Sequence, residues 1–216
     1  YIYDDIEYPL ADADQAQALL ADAGWTRDTE SGKLTSSSGR ELSFSIATGN
    51  ADHLIRSAEF VADALRAIGV EVTVTVYESG QLTEDIIRER DFEALVFGQS
   101  IVHDTNLFAF WHSSQRTDPG LNITGYINAR TDSLLAEARQ EIDRDDRYEL
   151  YREFDAVLMA DRPALYLYAP DFTYTTPDHL RGITFTNIAQ PHERFARVHE
   201  WHVRTQYVWP IFLQAS

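Results

Sequence analysis

Val70-Glu71-Val72-Thr73-Val74-Thr75-Val76-Tyr77 alternates branched apolar residues with polar ones through most of its length. That is the period of a strand with one face buried. Gly69 stands just before it and closes a stretch in which Leu54, Ala58, Val61, Leu65 and Ile68 recur at steps of four and three. Such spacing marks one face of a helix ended by a glycine. Further upstream Leu42, Phe44 and Ile46 alternate with Ser43, Ser45 and Ala47, which reads as a second strand. Downstream, a short helix over Leu82–Glu89 leads to a third strand at Phe92–Phe97. Strand, helix, strand, helix, strand is a βαβαβ unit, so the sheet should be parallel with right-handed crossovers. Ligands on such sheets gather beyond the carboxyl ends of the strands. Here that edge carries Thr48-Gly49-Asn50, Glu78-Ser79-Gly80 and the stretch from Gly98 to Asn106.

Outward from this unit, Asp12 is placed to cap a helix ending at Gly24. The polar stretch Thr26–Arg40, with Ser31-Gly32 and Ser38-Gly39, reads as a turn-rich connection. Beyond the sheet, Phe108–Asn128 is aromatic and irregular, and two helices are expected at about 132–142 and 146–160. Asp161-Arg162-Pro163 breaks the second helix, and Ala164–Ala169 reads as a buried strand. Thr173–Thr175 and Ile183–Thr186 look extended. With no internal repeat or linker-like run, the reading is one domain with a C-terminal appendage.

A chain of 216 residues with 44% hydrophobic and 25% charged residues has the composition of a folded globular protein. No apolar run reaches the length of a membrane-spanning helix. The net charge of −17 argues against a nucleic-acid partner, which needs clustered Lys and Arg. The absence of Cys excludes disulfides, zinc–thiolate sites and cysteine nucleophiles. There is no Gly-rich phosphate loop, no Gly-x-Ser-x-Gly elbow and no His-Glu-x-x-His helix, so no enzyme is expected. The seven histidines scatter, and only His103 and His112 fall near the presumed ligand edge, which makes a poor metal site. Neither a metal nor a cofactor is expected.

Three segments in order carry a resemblance. They are Asp12–Trp25, then Arg90-Asp91-Phe92-Glu93-Ala94-Leu95-Val96-Phe97-Gly98, then Asn122-Ile123-Thr124-Gly125-Tyr126-Ile127-Asn128 leading into Asp132-Ser133-Leu134-Leu135. Together they resemble the C-terminal half of the family 5 extracellular solute-binding proteins, the dipeptide-, oligopeptide- and nickel-binding components of ABC importers. The resemblance runs from about Asp12 to Trp201. It implies an α/β, type II periplasmic-binding-protein-like lobe with a βαβαβ core sheet, followed by a C-terminal returning segment. On that analogy residues 1–171 are the second ligand-binding lobe, and residues 172–216 return to pack on a first lobe of the same parent protein. The closing motif Ala189-Gln190-Pro191-His192-Glu193-Arg194-Phe195 fits the same pattern.

The resemblance further implies solute capture by closure between two lobes, with a peptide or other small polar solute as ligand and an ABC permease in the membrane as partner. The protein would then be extracellular, periplasmic or a cell-surface lipoprotein. The residues assigned to ligand contact are Gln99, Ser100, His103, Trp111 and Tyr126. For Asp104 and Asn106, capping of the following helix is the competing reading. For the aromatic group Phe108, Phe110, Trp111 and Tyr126, it is packing in the core. Asn122 is read as a structural residue bonding loop backbone. Two departures from the family stand out. Ile101 occupies the position where peptide-binding relatives hold the ligand's ammonium group with an Asp. Thr48 occupies the position, just past the first strand, where dipeptide-binding relatives place an Arg. A desolvated charge without a counter-charge is costly, so a free dipeptide is an unsuitable ligand unless the other lobe supplies both charges. The rival reading is a surface adhesion or interaction module derived from the same fold, without a transport role.

Overall fold

The computed structural model describes residues 11–99, 107–185, 188 and 190–203. Among these, 11–98 and 107–166 form one compact unit, and Gln99 with the described residues from 167 onward forms another.

The first unit is built on a three-stranded parallel sheet of order β4-β3-β5, with β3 at Ser43–Gly49, β4 at Glu71–Tyr77 and β5 at Ala94–Val96. The register pairs Ile46 with Val74 on one side and with Ala94 on the other. Helix α2 (Asp52–Ala67) covers one face. Its Ala58 and Ala62 are fully buried, with Ile46, Val70 and Val72 in the same cluster and Phe44, Val61, Leu65 and Val96 packed around them. Small side chains on the helix let its backbone approach a sheet rich in branched residues. The opposite face of the sheet is closed by a helical turn, α3 (Ser79–Gln81), running into π-helical Leu82–Ile87. There Leu82 and Ile86 pack with Ala47. The expected βαβαβ unit is therefore present; its last strand is shorter than the sequence suggests, and its second helical stretch begins earlier, at Ser79.

Asp12 caps α1 (Ala13–Asp22) as expected, its Oδ1 accepting from the amides of Asp14 and Gln15 at 3.0 Å each. The polar connection after it is more ordered than expected. Trp25–Arg27 (β1) pairs antiparallel with Leu34–Ser36 (β2), and three-residue strands are too short to show alternation. This hairpin is tied to the end of α2, where the Leu34 amide donates to the Gly69 carbonyl at 2.8 Å. Gly69 has φ +96°, and a Cβ there would lie 2.8 Å from the Gly32 carbonyl oxygen, so the close approach needs glycine.

The rest of the first unit is helical: α4 (Leu107–Trp111), a 3₁₀ turn at Ser113–Gln115, α5 (Ala129–Ala138) and α6 (Arg144–Asp161). Leu134, Leu135, Tyr151, Phe154 and Leu158 form its core. Asn128 caps α5 and Asp143 caps α6, each accepting two backbone amides. Beyond α6, Ala164–Ala169 is not the buried strand expected. Leu165, Tyr166, Leu167 and Tyr168 are all exposed, and none of them lies in a strand. An apolar run becomes a strand only where an edge accepts its backbone groups.

In the second unit two short strands, β6 (Leu180–Arg181) and β7 (His202–Val203), pair antiparallel. Thr173–Thr175 and 183–185 carry no strand. Phe172, Tyr174, Phe195 and Trp201 contact one another, and the Arg194 guanidinium lies 4.2 Å from the Phe195 ring centre.

Candidate functional site

The carboxyl ends of the three parallel strands finish nearly level, since Gly49 is paired with Tyr77 and Thr48 with Val96. The residues that follow each strand are thereby set side by side. After β3 comes Asn50, after β4 come Glu78 and Ser79, and after β5 come Phe97 and Gly98. Asn50 joins the first two ends: its Nδ2 donates to Glu78 Oε2 at 2.6 Å and its Oδ1 accepts from Ser79 Oγ at 3.4 Å. Thr48 lies inside β3 rather than past it. It is fully buried, and its Oγ1 donates to the Val96 carbonyl at 2.8 Å. The residue expected at the ligand edge is thus a bond between β3 and β5, and the exposed position just beyond is Asn50.

On the flank of β5, Glu93 continues the pairing that the short strand leaves off. Its Oε2 accepts from the Ser45 amide at 2.7 Å and from Ser45 Oγ at 2.8 Å. Those bonds, the backbone one first, hold its carboxyl below the usual carboxylate range.

Of the five residues assigned to ligand contact, Gln99 is exposed and follows β5. Ser100 and His103, with Ile101, Asp104 and Asn106, lie outside the described residues. Trp111 is 9% exposed within the helical core, edge-on to Tyr126 at 6.3 Å between ring centres. Tyr126 is half-buried, and its hydroxyl donates to Asp161 Oδ2 at 2.6 Å, an oxygen that also accepts from Asn128 Nδ2 at 2.7 Å. Burial, and then the Asp161 carboxylate, push the Tyr126 hydroxyl up to about 12. The Tyr126 and Asn128 bonds, in that order, hold Asp161 below its ordinary value. The structure therefore brings Trp111 and Tyr126 together and ties Tyr126 to the end of α6.

Asn122 holds this region in shape. It is fully buried, and its Nδ2 lies 2.9 Å from the Tyr126 carbonyl and 3.2 Å from those of Trp111 and His112. Its Oδ1 accepts from the Tyr126 amide at 3.2 Å and Thr124 Oγ1 at 3.1 Å. The loop Asn122–Asn128 is thus wound around one amide group.

Residues 1–119 match the family described as bacterial extracellular solute-binding proteins, family 5 Middle. The chain belongs to family 5 of the bacterial extracellular solute-binding proteins. Oligopeptide-binding protein AppA of Bacillus subtilis is 30% identical over 185 residues, which is 84% of this chain and 34% of AppA. The chain thus spans about a third of the length of that curated relative. The structure of AppA in complex with a nonapeptide superposes with a TM-score of 0.74 at 27% identity, covering 94% of this chain and 40% of that one. NikZ of Campylobacter jejuni, solved in complex with Ni(L-His), gives a TM-score of 0.68 at 22% identity over 88% of this chain and 38% of that one. The fold is that of the type II periplasmic binding proteins, α/β with a parallel sheet.

The sequence placed Asn50 and Glu78 on one edge of the sheet but gave no sign that they are bonded to each other. They are separated by 28 positions, and no local pattern joins them.

Proposed function

We propose that this family 5 chain is one lobe of an extracellular solute-binding protein that delivers a peptide-like or similarly polar solute to an ABC permease. The observation that carries the reading is the likeness to peptide-bound AppA over nearly the whole chain at 27% identity, with less than half of that protein spanned. Residues 1–171 would supply one wall of the ligand cleft, and residues 172–216 would return to the other lobe. The exposed apolar run Leu165–Tyr168 supports this division, because such a run is ordinarily covered by protein. Ligand would lie against the carboxyl edge of the sheet, with Gln99, Ser100, His103, Trp111 and Tyr126 as contacts. Binding free energy would come from contacts made only when the lobes close, which is how a ligand shifts such an equilibrium.

The test is a thermal-shift screen of the intact two-lobed protein against peptide pools, oligosaccharides and nickel, with native mass spectrometry to detect co-purified ligand. The expected result is stabilisation by peptides of a defined length range. Stabilisation by none of the three, in a folded two-lobed protein, would overturn the transport reading in favour of a surface interaction module.

A further inference from the structure

The chain holds 35 Asp and Glu against 18 Lys and Arg, and 17 of those 18 are Arg, with Lys33 the one lysine. The structure shows cations stretched over more than one carboxylate. Lys33 Nζ lies 3.1 Å from both Glu41 and Glu71. Arg66 Nη1 pairs with Glu59 at 3.1 Å and Asp63 at 2.8 Å, while its Nε and Nη2 donate to the Val72 carbonyl at 3.0 and 2.8 Å. Arg88 pairs with Glu84 and, at 3.6 Å, with Asp118. Each of these three cations serves two acids.

Such sharing leaves the α5–α6 pair largely uncovered. Glu137, Glu141, Asp146, Glu149 and Glu153 line one groove between these helices, with Arg152 among them. Glu153 is paired with Arg130 at 2.5 Å. For Glu137, Glu141, Asp146 and Glu149, no Lys or Arg nitrogen of the described residues lies within 4.0 Å. The first turn of α6 favours Asp146, because a helix N-terminus attracts negative charge. Glu137, Glu141 and Glu149 have no such offset.

Like charges lie closer together on a folded surface than along an unfolded chain, so a large net charge destabilises the compact state. Dissolved salt removes that penalty: the screening length falls from about 10 Å at 0.1 M to about 3 Å at 1 M. Exposed ion pairs weaken by the same screening, but each contributes little. With 35 acids to 18 bases the relief of repulsion outweighs the loss of attraction. The preference for Arg fits the same regime, since its fork keeps directed hydrogen bonds such as those of Arg66 to Val72 when bare charge attraction is screened.

We propose that this lobe is built to fold in concentrated salt, with mobile cations over its acidic surface supplying the charge balance that its Lys and Arg do not. The dependence belongs to the whole surface and not to a fixed ion site. It goes beyond the transport reading and holds whatever the solute is.

The test is thermal unfolding of the intact protein and its E137Q/E141Q/E149Q variant, followed by circular dichroism between about 0.1 M and about 2 M NaCl. Gln keeps the oxygens that accept from Ser133 Oγ and from the Asp143 amide, so charge alone is removed. The expected result is a wild-type melting temperature that rises by roughly 10 °C across the series. The triple variant should melt above wild type at low salt, rise less, and meet it at high salt. E149Q alone, at an exposed position, should shift in the same direction by less. A wild-type melting temperature that is flat or falls with NaCl overturns the proposal. So do variants that both melt below wild type at low salt. A triple variant whose rise equals that of wild type also overturns it, because salt would then act by exclusion from the surface and not by screening. None of these outcomes bears on solute binding, so the transport reading stands or falls separately.

Discussion

Replacing Asn122 by Ala should be among the most damaging single changes in the chain. The side chain is fully buried and its amide meets the Tyr126, Trp111 and His112 carbonyls while accepting from the Tyr126 amide. Some of those groups have other partners: the Gln115 amide also donates to the His112 carbonyl, and the Tyr126 amide lies 3.3 Å from Thr124 Oγ1. The carbonyls of Trp111 and Tyr126 bear the loss. At roughly 1–3 kcal/mol for each buried group left unpaired, with a small cavity added, Asn122→Ala should cost about 3–5 kcal/mol. That is a large share of the roughly 5–15 kcal/mol that holds a typical domain together. For a chain of this size it corresponds to a fall of about 10 °C in melting temperature. Asn122→Asp should be worse still, because it places a carboxylate oxygen against three carbonyl oxygens. The assay is urea unfolding followed by tryptophan fluorescence, with Trp111 next to the lesion. A loss below about 1 kcal/mol for Asn122→Ala, or an Asp variant more stable than the Ala one, would refute the account of this loop.

Phe154→Ala, at a site 1% exposed in the helical core, should destabilise by about 3–5 kcal/mol, measured by the same unfolding curves. Gly69→Ala forces a Cβ to 2.8 Å from the Gly32 carbonyl at φ +96° and should cost about 1–3 kcal/mol. A neutral result would mean the β1–β2 hairpin does not sit as described. The Tyr126–Asp161 bond predicts a pH signature at both extremes. Tyr126 has its folded pKa raised from 10.0 to about 12, so its contribution is complete below 10 and fades as pH rises through about 12. Asp161 is shifted the other way, so its contribution is present above the ordinary carboxylate value and fades as pH falls through its lowered one. Tyr126→Phe should flatten the alkaline limb of a stability–pH profile, and Asp161→Asn the acid limb as well. Identical profiles for wild type and Tyr126→Phe would show the bond to be unimportant.

The sheet was readable because its signals are local. Val70–Val76 alternates, Gly69 punctuates, and the α2 face repeats at helical spacing, so neighbours in sequence report the same burial. The β1–β2 hairpin escaped because Trp25–Arg27 and Leu34–Ser36 are each shorter than one readable period. Ala164–Ala169 has the composition of a strand and carries none, because a strand is a property of two segments and composition reports only one. Asn122 was legible as a structural residue because its motif places Gly125 and Tyr126 within reach of its own side chain. The Tyr126–Asp161 and Asn50–Glu78 bonds were not, since they join residues 35 and 28 positions apart. Their existence depends on where α6 and the strands end in space. The same limit applies to Thr48, which looks like a residue beyond a strand until the register with Val96 places it inside.

The proposed function makes this chain one wall of a two-walled site. Its most direct test is calorimetric titration of one peptide, chosen from the stabilising pool, into the intact protein and into the 216-residue chain alone. Closure between lobes predicts tight binding by the intact protein and a loss of about a hundredfold or more for the chain alone, because half the burial is missing. Equal affinity in both would contradict the account and place the whole binding site within these residues.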